Sequence, residues 1–342
     1  MTKSLKSLLA AVVLLVLAGV IVYSFFPDAI EGRTNSGAIV AAGSEAASAD
    51  VDTSLDANPQ NRAPMIQSQK AQHAARVQLY RWYTLYEREM SKARVANQLD
   101  ILDENVKITS AAGTMEGRAD YPDRLKVYEG WQNAHHVQNI AVTPGEGGKT
   151  TMEADIIYQN IQPDGKENAY TVHYVTELAE DGTGLPKFKS LNLRPTGELP
   201  ARDFVDAYPT NRLKSLMHAW LLNVEGLDGN VEPFKELLTD DFYLNFSSGD
   251  QIDSVEKLEK WLNGAPMTLA VSSHYPINFS VETTGKNTYT MHVDFVWFGL
   301  AKDGNTYKAV TSHDWRVVDD PTERFARIKR ADVTRKVPFG LL

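Results

Sequence analysis

His135, Asn139 and Asp155 recur as His274, Asn278 and Asp294, each 139 positions on (274 − 135, 278 − 139 and 294 − 155). A histidine beside a carboxylate can move a proton, and the same pair can hold a metal ion. Strand alternation points elsewhere. Ile140, Val142, Ile277, Phe279 and Val281 form the apolar phase of these two segments, so strict alternation turns His135, Asn139, His274 and Asn278 to the opposite face. On that reading both triplets line a contact between two sheets and bond one another across a pseudo-twofold axis. His135-His136 is no metal motif, because neighbours on a strand face opposite ways, and no metal is expected.

The inward positions hold a second set. His313 and Trp315 share the apolar phase of their strand, and Tyr174 is the counterpart of His313 in the first copy. Among Trp220, Phe295, Trp297 and Trp315, His313 reads either as a general base or as a hydrogen-bonded core histidine. An acid partner would come from Asp241 with Tyr243, at the rim, or from Asp332 on the last strand. The first copy offers Trp82, Tyr83, Tyr86, Tyr158, Tyr170 and Tyr174 without an acid. Such a wall suits an apolar ligand or a peptide, and suits a plain core equally.

These residues are placed by a sequence that is written twice. Asp164-Gly165 and Asp303-Gly304 keep the 139 offset, whereas Arg76 and Leu102 match Arg212 and Leu238 at 136 (212 − 76 and 238 − 102). A period this long is a domain rather than a solenoid unit. Each copy opens with an amphipathic helix. Leu79, Trp82, Tyr83, Tyr86 and Met90 make one apolar stripe; Leu213, Leu216, Met217, Trp220, Leu221 and Val224 make the other. A short helix, a short strand and a third helix follow, with Asp120 and Ser254 as expected N-caps. Four strands complete each copy. The Asp-Gly dipeptides read as type I′ hairpin turns.

Residues 7–26 are uncharged and follow Lys3 and Lys6. Twenty residues at 1.5 Å each span about 30 Å, a bilayer core. The sequence after them is a poor cleavage site, so an uncleaved anchor is expected, with a cleaved signal as the alternative. The lysines leave the N-terminus cytoplasmic and the rest exported, periplasmic in a Gram-negative cell, with residues 7–26 in the inner membrane. Residues 27–70, rich in Ala, Ser, Asp and Gly, read as a flexible tether. The expected plan is therefore an anchor (1–26), a linker (27–70), a first domain (71–197) and a second (198–342).

The order of helices, short strand, helix and four-stranded meander resembles the nuclear transport factor 2-like superfamily, which includes SnoaL-like cyclases and ketosteroid isomerases. The resemblance covers 71–342, once per copy, and rests on element order rather than on a diagnostic motif. It implies an α+β fold: two tandem cones, each a curved, mainly antiparallel sheet around helices with a pocket inside, paired through their outer sheet faces.

A net charge of −9 without a basic block argues against nucleic acid as the partner. With no cysteine there is neither a disulfide nor a thiolate nucleophile. No phosphate loop, dinucleotide fingerprint, nucleophile elbow or zinc-protease motif stands in the chain, and no cofactor is expected. The favoured expectation is a tethered, non-catalytic envelope protein that binds a protein partner or a small apolar ligand. The alternative is a SnoaL-like isomerase, cyclase or dehydratase acting on a small hydrophobic substrate in the second domain. A spacer with filled cores is the third.

Overall fold

The computed structural model describes residues 69–341, apart from 90, 91, 181, 183 and 201. The expected anchor and nearly all of the expected tether lie outside the described residues. Among the described residues no helix is long and apolar enough to cross a membrane.

Both halves form α+β units. The first runs α1 (Gln69–Tyr86), α2 (Lys92–Gln98), β1 (Leu102–Ser110), β2 (Gly113–Glu116), α3 (Tyr121–Leu125), β3 (Gln132–Pro144), β4 (Lys149–Ile161), β5 (Glu167–Ala179) and β6 (Lys187–Leu199). The second repeats this as α4 (Tyr208–Val224), α5 (Glu232–Lys235), β7 (Leu238–Asn245), β8 (Gln251–Ile252), α6 (Val255–Leu262), β9 (Leu269–Gly285), β10 (Thr288–Ala301), β11 (Thr306–Val318) and β12 (Arg327–Leu341). The sheet orders are β2-β1-β6-β5-β4-β3 and β8-β7-β12-β11-β10-β9. Only the β1–β6 and β7–β12 pairs are parallel.

The short strands β2 and β8 escape the sequence reading because they lack an apolar run. Ser254 caps α6 by accepting from the Lys257 N–H at 3.3 Å, but Asp120 makes no side-chain cap. The Asp-Gly turns are not type I′. Only the glycine has positive φ, 84° at Gly165 and 89° at Gly304. Gly165 N–H donates to Gln162 O and Gln162 N–H to Lys166 O. That is a type I turn closed by a left-handed glycine, the three-residue hairpin loop.

One apolar stripe per helix was expected, but α1 is enclosed on nearly every side. His73, Gln78, Arg81 and Thr84 are buried along with Leu79, Trp82 and Tyr83. One flank packs on its own sheet and the other on α4. The halves therefore meet helix to helix, and Val77 of α1 belongs to the core cluster of the second half. The outer sheet faces, expected as the pairing surface, carry half-buried to exposed polar side chains such as Glu153, Asp155, His173, Asp314 and Arg316. The physical reason is that the strongly polar buried side chains along α1 find partners. Gln78 donates to Pro186 O at 2.5 Å. Arg81 donates to Gln98 at 3.0 Å and to Asn97 O at 3.1 Å, and it pairs with Asp100. A helix so supplied can sit in the middle of a protein without exposing a polar face.

Candidate functional site

Each long helix ends in a glutamate that reaches a histidine on an edge strand. The Glu87 carboxylate accepts the His135 N–H at 2.8 Å and lies 3.0 Å from its Nδ1. Glu225 accepts the His274 N–H at 2.6 Å and lies 3.0 Å from its Nδ1. β3 and β9 are edge strands, so these N–H groups have no neighbouring strand to bond. The carboxylates supply the missing acceptors.

A third group comes from the opposite half. Asn211 of α4 donates to both Glu87 oxygens, at 2.8 and 3.1 Å, and to His135 O at 2.9 Å. His73 of α1 sets Nε2 at 3.3 Å from Glu225. These pairs are related by 138 positions (225 − 87 and 211 − 73), as are Trp82 and Trp220. Such reciprocal contacts define an isologous, pseudo-twofold interface. The helix offset is thus 138, not the 136 suggested by Arg76 and Arg212. That misalignment hid Glu87 and Glu225 from the sequence reading.

His135 and His274 do not point away from the cones. A bulge reverses the alternation. β3 and β4 lose register between Val137 and Asn139, and β9 and β10 lose it where Asn278 is inserted. Before the bulge His135 faces inward, stacked on Tyr83 with centroids 4.8 Å apart. After it Ile140 and Val142 face inward. One extra residue lets both sets share a face. His274 meets Phe295 edge-on at 5.7 Å. Asn278 takes φ = 54° at the bulge, a conformation asparagine tolerates better than most residues. Asn139 is exposed at the matching place.

The triplets therefore do not assemble as triplets. Asp155 stays on the outer face, 2.8 Å from His173. Asp294 is buried on that face, bonded by Asn278 at 2.9 Å and Lys336 at 2.6 Å. Burial raises its pKa, but bonds from Asn278, Lys336 and Ser312 outweigh this and hold it down to about 2.

His313 faces inward, edge-on to Phe295 at 4.7 Å and 6.3 Å from the Trp315 ring. Its Nε2 lies 3.0 Å from the Thr311 hydroxyl. Burial pushes its pKa down to about 3, with His274 adding to the shift. Its expected acid partners lie on the other side of the sheet. In β7, Phe242 and Leu244 are buried while Asp241 is exposed and Tyr243 half-buried. Asp241 pairs with Lys329 at 3.0 Å, and the Arg330 guanidinium sits 5.1 Å from the Tyr243 ring. Asp332 pairs with Arg330 at 2.6 Å. These three therefore do not converge with His313.

The aromatic residues pack on one another. Trp82, Tyr83, Tyr174, Trp220, Phe295 and Trp315 are all buried. Trp220 meets Trp315 at 5.9 Å, and Tyr83 meets Tyr174 at 5.6 Å. Tyr86 bonds Tyr121 through the hydroxyls. Tyr158 donates to Asn133 at 2.7 Å and lies opposite Tyr170. Trp297, half-buried, leans over Gly299 and donates to Ser272 at 2.9 Å. Any side chain at Gly299 would strike that indole.

Among the described residues no group of three or more His, Asp or Glu is arranged to hold a metal ion. The histidine-rich cluster at Glu225 illustrates why. His73 turns Nδ1 to His218 at 3.0 Å and Nε2 to Glu225, so the groups form a chain, not a cage.

No family model matches this sequence, and no curated protein matches it. Solved structures align with part of it at low identity. Hexachlorocyclohexane dehydrochlorinase LinA-type3 from Novosphingobium barchaimii LL02 is 11% identical, covers 39% of this chain and 89% of its own, and has a TM-score of 0.34. A cystatin-like-fold protein from Caulobacter vibrioides is 14% identical over 38% of this chain and 91% of its own, with a TM-score of 0.32. Kfla4162 from Kribbella flavida is 13% identical over 39% and 93%, with a TM-score of 0.34. Each spans about two-fifths of this chain. The description of the fold rests on the strand order of the two halves themselves.

Proposed function

We propose that this chain is a membrane-tethered, exported, non-catalytic protein whose paired domains bind a protein partner or an apolar ligand in an envelope assembly. One observation carries the reading: the groups best suited to chemistry are already engaged in holding the fold. Glu87, His135 and Asn211 saturate one another, and His313 faces away from Asp241, Tyr243 and Asp332. The uncharged segment 7–26 supports the tether, and the absence of a basic block argues against a nucleic-acid partner.

The test is expression of the full chain in a Gram-negative host, followed by membrane fractionation and in-cell crosslinking. The expected result is protein that resists carbonate extraction and crosslinks into a defined larger species. Soluble protein would remove the tether. Repeated recovery of monomer alone from membranes would remove the assembly.

The second reading is a SnoaL-like enzyme in the second half. It keeps one supporting observation, a neutral imidazole at His313 held between aromatic rings. Turnover of any small hydrophobic substrate that disappears in His313→Ala while the fold persists would favour it.

A further inference from the structure

The two ends of the α1–α4 interface are equivalent in position but not in chemistry. At one end Glu87 meets one histidine and Asn211. At the other Glu225 meets His274 and His73, and His73 continues to His218. The counterpart of His218 is Tyr80 (218 − 80 is again 138). These two stack directly, with centroids 5.9 Å apart and planes within 6°. Residues related by the pseudo-twofold axis and touching each other lie on that axis. His218 is thus at the centre of the joint, 1% exposed, with Nε2 unbonded.

Proton counting shows what this chain tolerates. His73 Nδ1 faces His218 Nδ1, so one hydrogen fits between them. His73 Nε2 facing Glu225 favours a hydrogen there. With that arrangement a proton added to His218 sets N–H against N–H or leaves a buried imidazolium without an acceptor. The charges around it are adverse. Arg76 comes from α1 and Lys214 from its own helix, and both disfavour the imidazolium. Glu225 is the carboxylate of this hydrogen-bonded series, shared by His73 and by His274 of β9; Tyr275 of β9 is neutral at these pH values.

We infer that the contact between the two halves is an acid-sensitive joint: protonation of His218 below neutral pH releases α1 from α4 at the Glu225 end, while the Glu87 end lacks the extra imidazoles that would release it. Burial, which holds the His218 imidazole neutral well below the usual histidine range, agrees with this geometry.

The test uses the full-length chain, which has no cysteine, with dyes on Val127→Cys in the first half and Val337→Cys in the second, both exposed. Interdomain energy transfer is followed from pH 8 to pH 4.5. The open fraction is expected to rise below pH 6.5 by up to about tenfold per pH unit for each proton taken up, with far-UV circular dichroism unchanged. Replacing His73→Asn and His218→Tyr together copies Asn211 and Tyr80 from the other end, and should abolish the response. An unchanged profile in that double variant, or opening that coincides with loss of secondary structure, would overturn the proposal. If the double variant does not fold, imidazole NMR of the unsubstituted chain decides. His218 must titrate together with the opening, and titration without opening would equally overturn it.

Discussion

Asn211 donates to both oxygens of Glu87 across the boundary between the halves, at 2.8 and 3.1 Å. The same amide group reaches His135 O. One side chain of the second half thus satisfies a helix-terminal carboxylate and an edge-strand carbonyl of the first. For Glu87 this completes the set of bonds that the His135 N–H and ring begin.

Removal of this carboxylate should be costly. Glu87→Ala strands the His135 N–H and Asn211 amide, and should destabilise the chain by about 3–5 kcal/mol. Glu87→Gln keeps the shape but turns a donor toward donors, and should recover only part of the loss. Urea midpoints of the two variants check this.

Arg212 ties a whole loop to α4. It donates to Asp319 at 2.8 Å and to the carbonyls of Asp320, Glu323 and Arg324 at 3.1, 2.9 and 2.8 Å. The same loop meets the first half, where Arg324 pairs with Asp100 at 3.0 Å. Arg212→Lys cannot reproduce the fork. It should therefore cost nearly as much as Arg212→Ala, about 3 kcal/mol or more, and should speed proteolysis within 319–324.

Acid should weaken the fold from pH 6.5 downward. Burial lowers His136, His218 and His313 below their ordinary value. Their unfolded forms bind protons first, so stability is full above about pH 6.5 and declines toward each folded pKa, by up to about 1.4 kcal/mol per pH unit per imidazole. His313→Gln should flatten the decline without removing it. Melting temperatures between pH 8 and pH 5 give the slopes.

The bulge predicts an order among substitutions at Asn278. Alanine there pays the left-handed penalty, about 1–2 kcal/mol, and also frees the Asp294 carboxylate from one donor. Glycine loses the donor but keeps φ = 54° at ease. Glycine should thus be the milder change in a thermal melt. The opposite order would mean that the Asp294 bond, and not the backbone, selects asparagine.

On the outer face, Asp241→Asn, Tyr243→Phe and Asp332→Asn should each leave the urea midpoint nearly unchanged. None should alter any turnover that His313 supports.

The α+β class, the doubling and the four-strand meander were legible because apolar periodicity and Asp-Gly turns are local signals. The packing of the halves was not. Gln78, Arg81 and His73 look like a solvent face, and only tertiary partners such as Pro186 O and Asp100 reveal them as interior. Face assignment on β3 and β9 failed for a specific reason. Period-two reasoning holds only to the first bulge, and the bulge lies between His135 and Ile140. Glu87 and Glu225 were within reach, since a helix offset taken from Trp82 and Trp220 pairs them directly.

Tyr80 against His218 also bears on self-recognition. A first half meeting a copy of itself would set Tyr80 on Tyr80. A second half meeting its copy would set His218 on His218, with Lys214 close to both, two groups that repel as soon as either imidazole is charged. The mixed pair stacks without such conflict, and Val77 completes the core of the half it does not belong to. The second half thus discriminates against a copy of itself.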